Sequence, residues 1–222
     1  MISYEQLKKN PLFHGIDESE IRSILACLSP RRRKYEKGET IFSAGEAISE
    51  VALILSGNVL IEKEDFWGNR SILAHLEKND LFGEAFASLS AESDVNAVAS
   101  AKTDILFLHI GQLLTCCTSA CAFHQRLIRN LLAAVAEKNT RLAKKADLLA
   151  QRTVRGKLLA YLSSQAQLQG SPSFDIPFSR QQLADYLSVD RSHMTVELGK
   201  LEKEGILRFQ KNRFQLLQPR EK

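Results

Sequence analysis

No apolar run in this sequence is long enough to cross a bilayer. The longest, Val51–Leu55 and Leu131–Ala136, are short, whereas a membrane helix needs about 20 apolar residues. The opening Met-Ile-Ser-Tyr-Glu-Gln-Leu-Lys-Lys lacks the apolar centre of a secretory signal, so the chain reads as soluble and cytoplasmic. Cysteine is scarce, with only Cys27, Cys116, Cys117 and Cys121. In a reducing compartment these do not build a disulfide framework. Also missing are a phosphate-cradling glycine loop and any nucleophile–base pair in sequence context, which argues against an enzyme, including a thiol-based one. A turnover assay on disulfide or peroxide substrates tests that exclusion. Intrinsic disorder is excluded too, because 44% of the 222 residues are hydrophobic and only 25% charged. At about 100–200 residues per domain, the length suits one or two domains.

A strong charge of one sign is absent as well. The net charge is +4, but it is unevenly spread. Residues 1–150 hold 18 Lys+Arg against 19 Asp+Glu, and residues 151–222 hold 12 against 7. The first part is therefore at −1 and the last third at +5. A basic module behind a neutral body fits a polyanion partner, with double-stranded DNA first in line, or else a basic solubilising surface.

The chain divides by texture. After a helical start at Tyr4–Lys9, Asp17 opens an amphipathic segment with Ile21, Ile24, Leu25 and Leu28 at helical spacing. From Arg31 to about Ile110, short Val/Ile/Leu/Phe runs are broken by Gly38, Gly45, Gly57, Gly68 and Gly83. That pattern predicts an antiparallel barrel or sandwich, with its plainest hairpin at Phe66-Trp67-Gly68-Asn69. Arg31-Arg32-Arg33-Lys34 leads into a strand and reads as a charged sheet edge rather than a nuclear signal. A long helix follows. Ile128, Leu132, Val135, Asn139, Leu142, Ala146 and Leu149 step by 4 and 3 alternately, the a/d seam of a coiled coil. Asn139 in that seam favours two parallel strands, each copy facing the other's Asn, so the helix predicts a homodimer. An apolar stripe packed against the chain's own barrel is the alternative.

The last third is helical, then turn-rich. Thr153–Gln169 reads as a helix with Leu158, Leu159 and Leu162 apolar, ended by Gly170-Ser171-Pro172. Ser179-Arg180-Gln181-Gln182 has the capping-box form and starts a helix carrying Leu183, Ala184 and Leu187. Ser188-Val189 turns tightly to Asp190, an N-cap for a second helix that runs to about Glu204 and stops at Gly205. Ile206–Phe209 and Phe214–Leu217 flank Lys211-Asn212-Arg213 as a hairpin. Helix, turn, helix and hairpin make a winged helix-turn-helix, whose second helix suits a major groove while the hairpin follows phosphates.

In order and spacing, several stretches resemble the Crp/Fnr family of transcription regulators. They are Lys37-Gly38-Glu39, Ala44-Gly45-Glu46, Leu55-Ser56-Gly57-Asn58-Val59, Leu81-Phe82-Gly83-Glu84-Ala85 and Arg180-Gln181-Gln182-Leu183-Ala184-Asp185-Tyr186-Leu187. The resemblance spans nearly the whole chain. It implies an α+β protein with an N-terminal cyclic-nucleotide-binding-like β-roll (a double-stranded β-helix, jelly-roll-like) over residues 1–118. A dimerisation helix over 119–150 and a winged helix-turn-helix over 151–222 would follow. Its partners would be DNA, a second copy, RNA polymerase and a small-molecule effector whose binding in the β-roll reorients the DNA-binding domains; no membrane is involved. The effector pocket would involve Gly83, Glu84, Ala85, Val95, Asn96 and Thr140. Cyclic-nucleotide-binding members hold the phosphate with an Arg-Ser or Arg-Thr pair where this chain has Val95-Asn96. Without the guanidinium the phosphate loses its bidentate partner, so cyclic AMP is disfavoured. Glu84 also fits an exposed turn, and Thr140 a helix surface.

On DNA, the resemblance places Arg191, Ser192, His193, Thr195 and Val196 at the base-reading positions. Arg191 suits guanine O6 and N7, and Thr195 or Val196 the thymine methyl. Relatives carry Glu and Arg at the Ser192 and Val196 positions, so the operator departs from the familiar half-sites. Arg180, Lys200, Lys211 and Arg213 are expected on phosphates, with ordinary surface charge as their alternative, above all for Lys200. A cyclic-nucleotide-like module gating a protein partner is a second functional class, and the basic last third counts against it. A thiol or metal sensor is a third. On one continuous helix Cys117, Cys121 and His124 fall at i, i+4 and i+7, on a single face, where thiolates and imidazole hold a soft metal or a redox switch. Cys116 lies beside them. Plain packing is the weightier explanation of free cysteines, and nothing before Cys27 resembles the cysteine-rich N-terminal extension of the iron–sulfur-sensing relatives. No cofactor is required by the sequence. His14, His75 and His109 read as packing or surface residues rather than ligands.

Overall fold

The chain enters its fold through two short helices and a single 3-10 turn: α1 (Tyr4–Lys8), the turn Pro11–Phe13, and α2 (Glu18–Leu28). The computed structural model describes residues 4–114 and 122–217. Cys116, Cys117 and Cys121 therefore lie outside the described residues, and with them the expected alignment with His124. At α2 the capping box forms. The Asp17 carboxylate accepts from Glu20 N at 2.8 Å and the Glu20 carboxylate accepts from Asp17 N at 2.9 Å. Ile21, Ile24, Leu25 and Leu28 are all buried, as their spacing predicts.

Strands β1 (Arg31–Tyr35), β2 (Thr40–Phe42), β3 (Glu50–Ser56), β4 (Val59–Glu64), β5 (Arg70–Leu76) and β6 (Leu81–Phe82) follow. After helix α3 (Glu84–Leu89) come β7 (Asn96–Ala99), β8 (Thr103–His109) and the short helix α4 (Ile110–Leu114). They form two four-stranded sheets, ordered β1-β8-β3-β6 and β2-β7-β4-β5. Side chains alternate across a strand, and here both faces of the first sheet are covered. Ala52, Ile54, Ile105 and Phe107 join Phe42, Val59, Leu76, Phe82 and Val95 in the core between the sheets. Val51, Leu53, Leu55, Leu106 and Leu108 face the other way, onto α1, α2 and Leu127 and Leu131 of the long helix. Burial on both faces explains why Val51–Leu55 is uniformly apolar.

The turn between β3 and β4 needs glycine. Gly57 has φ +86°, and a Cβ there would lie 2.3 Å from the Lys102 carbonyl oxygen. The Phe66–Asn69 hairpin forms as read, with the Asp65 carboxylate accepting from the backbone N–H groups of Trp67 and Asn69, each at 2.9 Å. Arg31–Lys34 is indeed an edge strand. Arg31 pairs with Glu50 at 2.7 Å and Arg32 with Asp104 at 2.5 Å, so the edge is charged against pairing with another chain.

The rest comprises α5 (Ala122–Leu149), α6 (Val154–Gln169), β9 (Ser173–Asp175), α7 (Arg180–Leu187), α8 (Arg191–Lys203), β10 (Leu207–Gln210) and β11 (Arg213–Leu216). Contacts divide the chain into two units, Met1–Asn69 with Leu73–Asn139, and Arg70–Ile72 with Thr140–Lys222. Within the first unit α5 presents two distinct stripes. His124, Leu127 and Leu131 are buried on one. The seam residues Leu132 and Val135 lie on the other, 68% and 38% exposed. The own-barrel stripe and the seam are therefore different faces of one helix. Beyond Asn139 the seam continues with Leu142, 57% exposed.

Candidate nucleic-acid interface

The helix-turn-helix is built from local caps. The Ser179 hydroxyl accepts from Gln182 N at 3.3 Å and the Gln182 side chain accepts from Ser179 N at 2.9 Å, which starts α7. Ser188 ends it in the left-handed conformation, φ +51°. The Asp190 carboxylate then accepts from His193 N at 2.7 Å and starts α8. Lys157 of α6 closes the turn by donating to the carbonyls of Leu187 at 3.0 Å and Ser188 at 3.4 Å. A cation on the last carbonyls of α7 is where the helix dipole favours one. Nothing near Lys157 in sequence announces its target.

Helical spacing sorts the residues of α8. Met194, Leu198 and Leu201 are fully buried against the unit's core, and the charged Glu197 is buried beside them. Arg191, Ser192, His193, Thr195 and Val196 are exposed together, with Val196 57% accessible. The five expected reading positions thus share one open face at the start of the helix. The Thr195 hydroxyl donates back to the Arg191 carbonyl at 2.8 Å, one turn earlier in the helix. The charge within the apolar stripe is occupied as well. Arg155, in the first turn of α6, reaches Glu197 at 3.4 Å and Glu204 at 2.6 Å, and Lys200 lies 3.3 Å from the other oxygen of Glu197. The guanidinium holds the Glu204 carboxyl below its ordinary range.

The hairpin β10–β11 gains a third strand that no pattern in the sequence marks. β9 pairs with β11, Phe174 opposite Phe214. Lys211 and Arg213 are exposed at its turn, Lys211 with φ +51°. Arg180 is placed differently from these two. Its guanidinium lies 4.9 Å from both the Phe209 and Phe214 ring centres, and Nη2 donates to the Lys211 carbonyl at 2.7 Å. It is half-buried, and burial lowers its pKa. Arg180 therefore braces the wing, while its Nη1 meets no acceptor among the described residues.

In the first unit, Gly83 takes φ +83° and opens α3. Next to it, Glu84 pairs with Lys138 of α5 at 2.5 Å, and both side chains are largely buried. Ala85 is exposed. Val95 is 5% exposed, packed in the intersheet core at the position where the resemblance to cyclic-nucleotide-binding members would place a phosphate-binding arginine. The Asn96 side-chain oxygen accepts from Ala44 N at 2.8 Å. Thr140 belongs to the second unit, so the first alone does not bring it to Glu84. His14 and His109 are exposed, and His75 is partly buried 3.6 Å from Glu77. Among the described residues, no three His, Cys, Asp or Glu side chains are grouped to hold a metal, and no helix is long and apolar enough to cross a membrane.

Compared with known proteins, the chain matches two family models. The cyclic nucleotide-binding domain covers residues 32–119 and the Crp-like helix-turn-helix domain residues 156–221. It is 30% identical to the cyclic AMP receptor protein of Thermus thermophilus over 206 residues, 91% of this chain and 90% of that one. Among solved structures, it resembles the Thermus thermophilus catabolite activator protein with a TM-score of 0.53 and 27% identity, covering 94% of each chain. The c-di-GMP-responsive global regulator CLP of Xanthomonas campestris shares its fold with a TM-score of 0.75 at 19% identity, over 91% of this chain and 100% of that one.

Proposed function

The chain belongs to the Crp/Fnr family of DNA-binding transcription regulators, and on that footing we propose how this member reads DNA and what it senses. It acts as a homodimer through the α5 seam, which presents two winged helices to a two-fold symmetric promoter site. Arg191 reads guanine, Ser192 and His193 are adaptable hydrogen-bonding groups, and Thr195 and Val196 offer apolar contact to thymine. Lys211 and Arg213 of the wing, with Lys200, hold phosphates. Arg180 shapes the wing for that contact. The observation that carries this reading is the single exposed face of Arg191, Ser192, His193, Thr195 and Val196 at the start of α8. RNA polymerase is the further partner that regulation of a promoter calls for.

The β-roll receives a signal other than cyclic AMP. Its pocket comprises Gly83, Glu84, Ala85, Val95 and Asn96. A cyclic phosphate would meet the buried isopropyl group of Val95 where it needs a guanidinium, and its desolvated charge would stay unpaired. The relative named for cyclic AMP therefore lends this chain its architecture and not its ligand. The test is selection from random-sequence duplexes, with reduced and mildly oxidised protein in parallel, followed by calorimetric titration with cyclic AMP. An enriched palindrome and no heat from cyclic AMP are expected. Absence of any palindrome removes the DNA-reading assignment, and saturable micromolar binding of cyclic AMP removes the pocket assignment. Enrichment in only one redox state would give the cysteine segment the sensing role.

A further inference from the structure

The ion-pair cluster between α6 and α8 has no explanation in local helix preferences. Arg155 is in the first turn of α6, whose N-terminal dipole disfavours a cation. Glu204 is the C-cap residue of α8, where the dipole disfavours an anion. Glu197 occupies an inward position between Met194 and Leu198, both fully buried, where an aliphatic side chain would be the ordinary choice. All three become favourable only together. Arg155 Nη1 lies 3.1 Å from Glu204 Oε1 and 3.4 Å from Glu197 Oε1, and Nη2 lies 2.6 Å from Glu204 Oε2. The fork of one guanidinium thus holds α8 at two points, in its body and at its end. Two points define a line, and a planar, five-donor group can hold both where a lysine ammonium cannot.

We propose that Arg155 is a positioning residue for DNA reading: its paired bonds to Glu197 and Glu204 set the angle at which α8 presents Arg191, Ser192 and His193. The inference rests on the DNA-reading function proposed above. The cluster also reaches the phosphate-contacting set, because Glu197 Oε2 lies 3.3 Å from Lys200. Arg155 follows directly on the junction between α5 and α6, at Ala150–Thr153. Base-edge contacts depend on alignment to a fraction of an ångström, whereas a phosphate accepts a long cationic side chain over a wider range. Loss of Arg155 thus acts on discrimination before it acts on general affinity.

The experiment compares wild type, Arg155→Met and Arg155→Lys, each as the full-length dimer. Dissociation constants are measured on the duplex selected by the wild type and on a scrambled duplex, alongside the thermal midpoint and amide hydrogen exchange of the DNA-free protein. Arg155→Met should lower the preference for the selected duplex about tenfold, and scrambled-duplex affinity should stay within about twofold of wild type. Arg155→Lys should recover part of the preference. Exchange should rise in α8 and leave α6 and α7 at wild-type rates. An unchanged preference overturns the proposal, and so does an equal loss on both duplexes, which is the mark of a merely structural residue. If the wild type selects no duplex, the proposed DNA reading fails separately. The exchange data then decide the positioning role alone: unaltered α8 protection, or a rise spread evenly over the unit, overturns it.

Discussion

Arg191 is the first residue of α8, exposed, with its own carbonyl already engaged by Thr195. Its guanidinium is the best-placed bidentate donor on the reading face, and Arg191→Ala should relax one base-pair position in each half-site by about 1–3 kcal/mol. Quantitative binding to single-substitution duplexes checks this, and equal losses on selected and scrambled DNA would remove the assignment. Asp104 makes the opposite kind of contact, within the paired strands β1 and β8. Arg32 holds it with two parallel bonds, Nε at 2.9 Å and Nη2 at 2.5 Å, so its carboxyl is kept below the usual carboxylate range. The folded state then binds this proton less readily than the unfolded chain. Its stabilisation is complete above the unfolded pKa of about 4 and is lost as pH falls through the lower folded value. Urea unfolding of Asp104→Asn should show a lower midpoint at neutral pH and a flatter decline in acid; parallel curves for both proteins would refute the linkage.

Elements act here through their faces. α5 binds its own domain along His124, Leu127 and Leu131, and leaves Leu132, Val135 and Leu142 exposed. Covering exposed leucines and valine on a second copy removes apolar area from water at about 25 cal/mol per Å². Leu132→Lys should convert the dimer to monomers in sedimentation while the first unit keeps its thermal midpoint. A dimer that persists would move the interface elsewhere. Asn139 works in the other direction, since a polar seam residue fixes strand number and register at some cost in stability. Asn139→Leu should raise the thermal midpoint and admit oligomers beyond two, as read by the same sedimentation measurement.

Charge is a property of the whole molecule. The +5 of residues 151–222 is expressed at the wing, where Lys211 and Arg213 are exposed. A dimer carries each cation twice. Lys211→Ala should therefore weaken binding to every duplex alike and reduce the slope of log affinity against log salt by about 2, close to 0.9 per phosphate contact. An unchanged slope would return the wing to ordinary surface charge. The Glu84–Lys138 pair belongs to this scale too, because it fastens α5 to the β-roll through groups 54 positions apart. Lys138→Met should destabilise the first unit by about 1.5–3 kcal/mol, the usual weight of a charge-assisted bond, in chemical denaturation.

What could be read from the sequence alone was whatever repeats or closes within a few residues. The Asp17 and Ser179 capping boxes join positions three apart, the seam recurs every three or four residues, and alternation marks strands. Those signals sufficed for the strands, the long helix and the helix-turn-helix, whereas the DNA-reading positions proposed on α8 come from the family resemblance and not from any periodicity. β9 escaped because three residues, Ser173–Asp175, carry no periodicity and are a strand only by pairing with β11. The roles of Lys157, Arg155 and Arg180 escaped for the same reason. Their partners, among them Leu187, Glu204 and the Phe209 and Phe214 rings, are brought near by packing and not by spacing. Val95 shows both sides at once. Its sequence position excluded a phosphate-binding arginine, but only the fold decided that the space would be filled by a buried aliphatic side chain, since burial is a property of neighbours that no window of sequence contains.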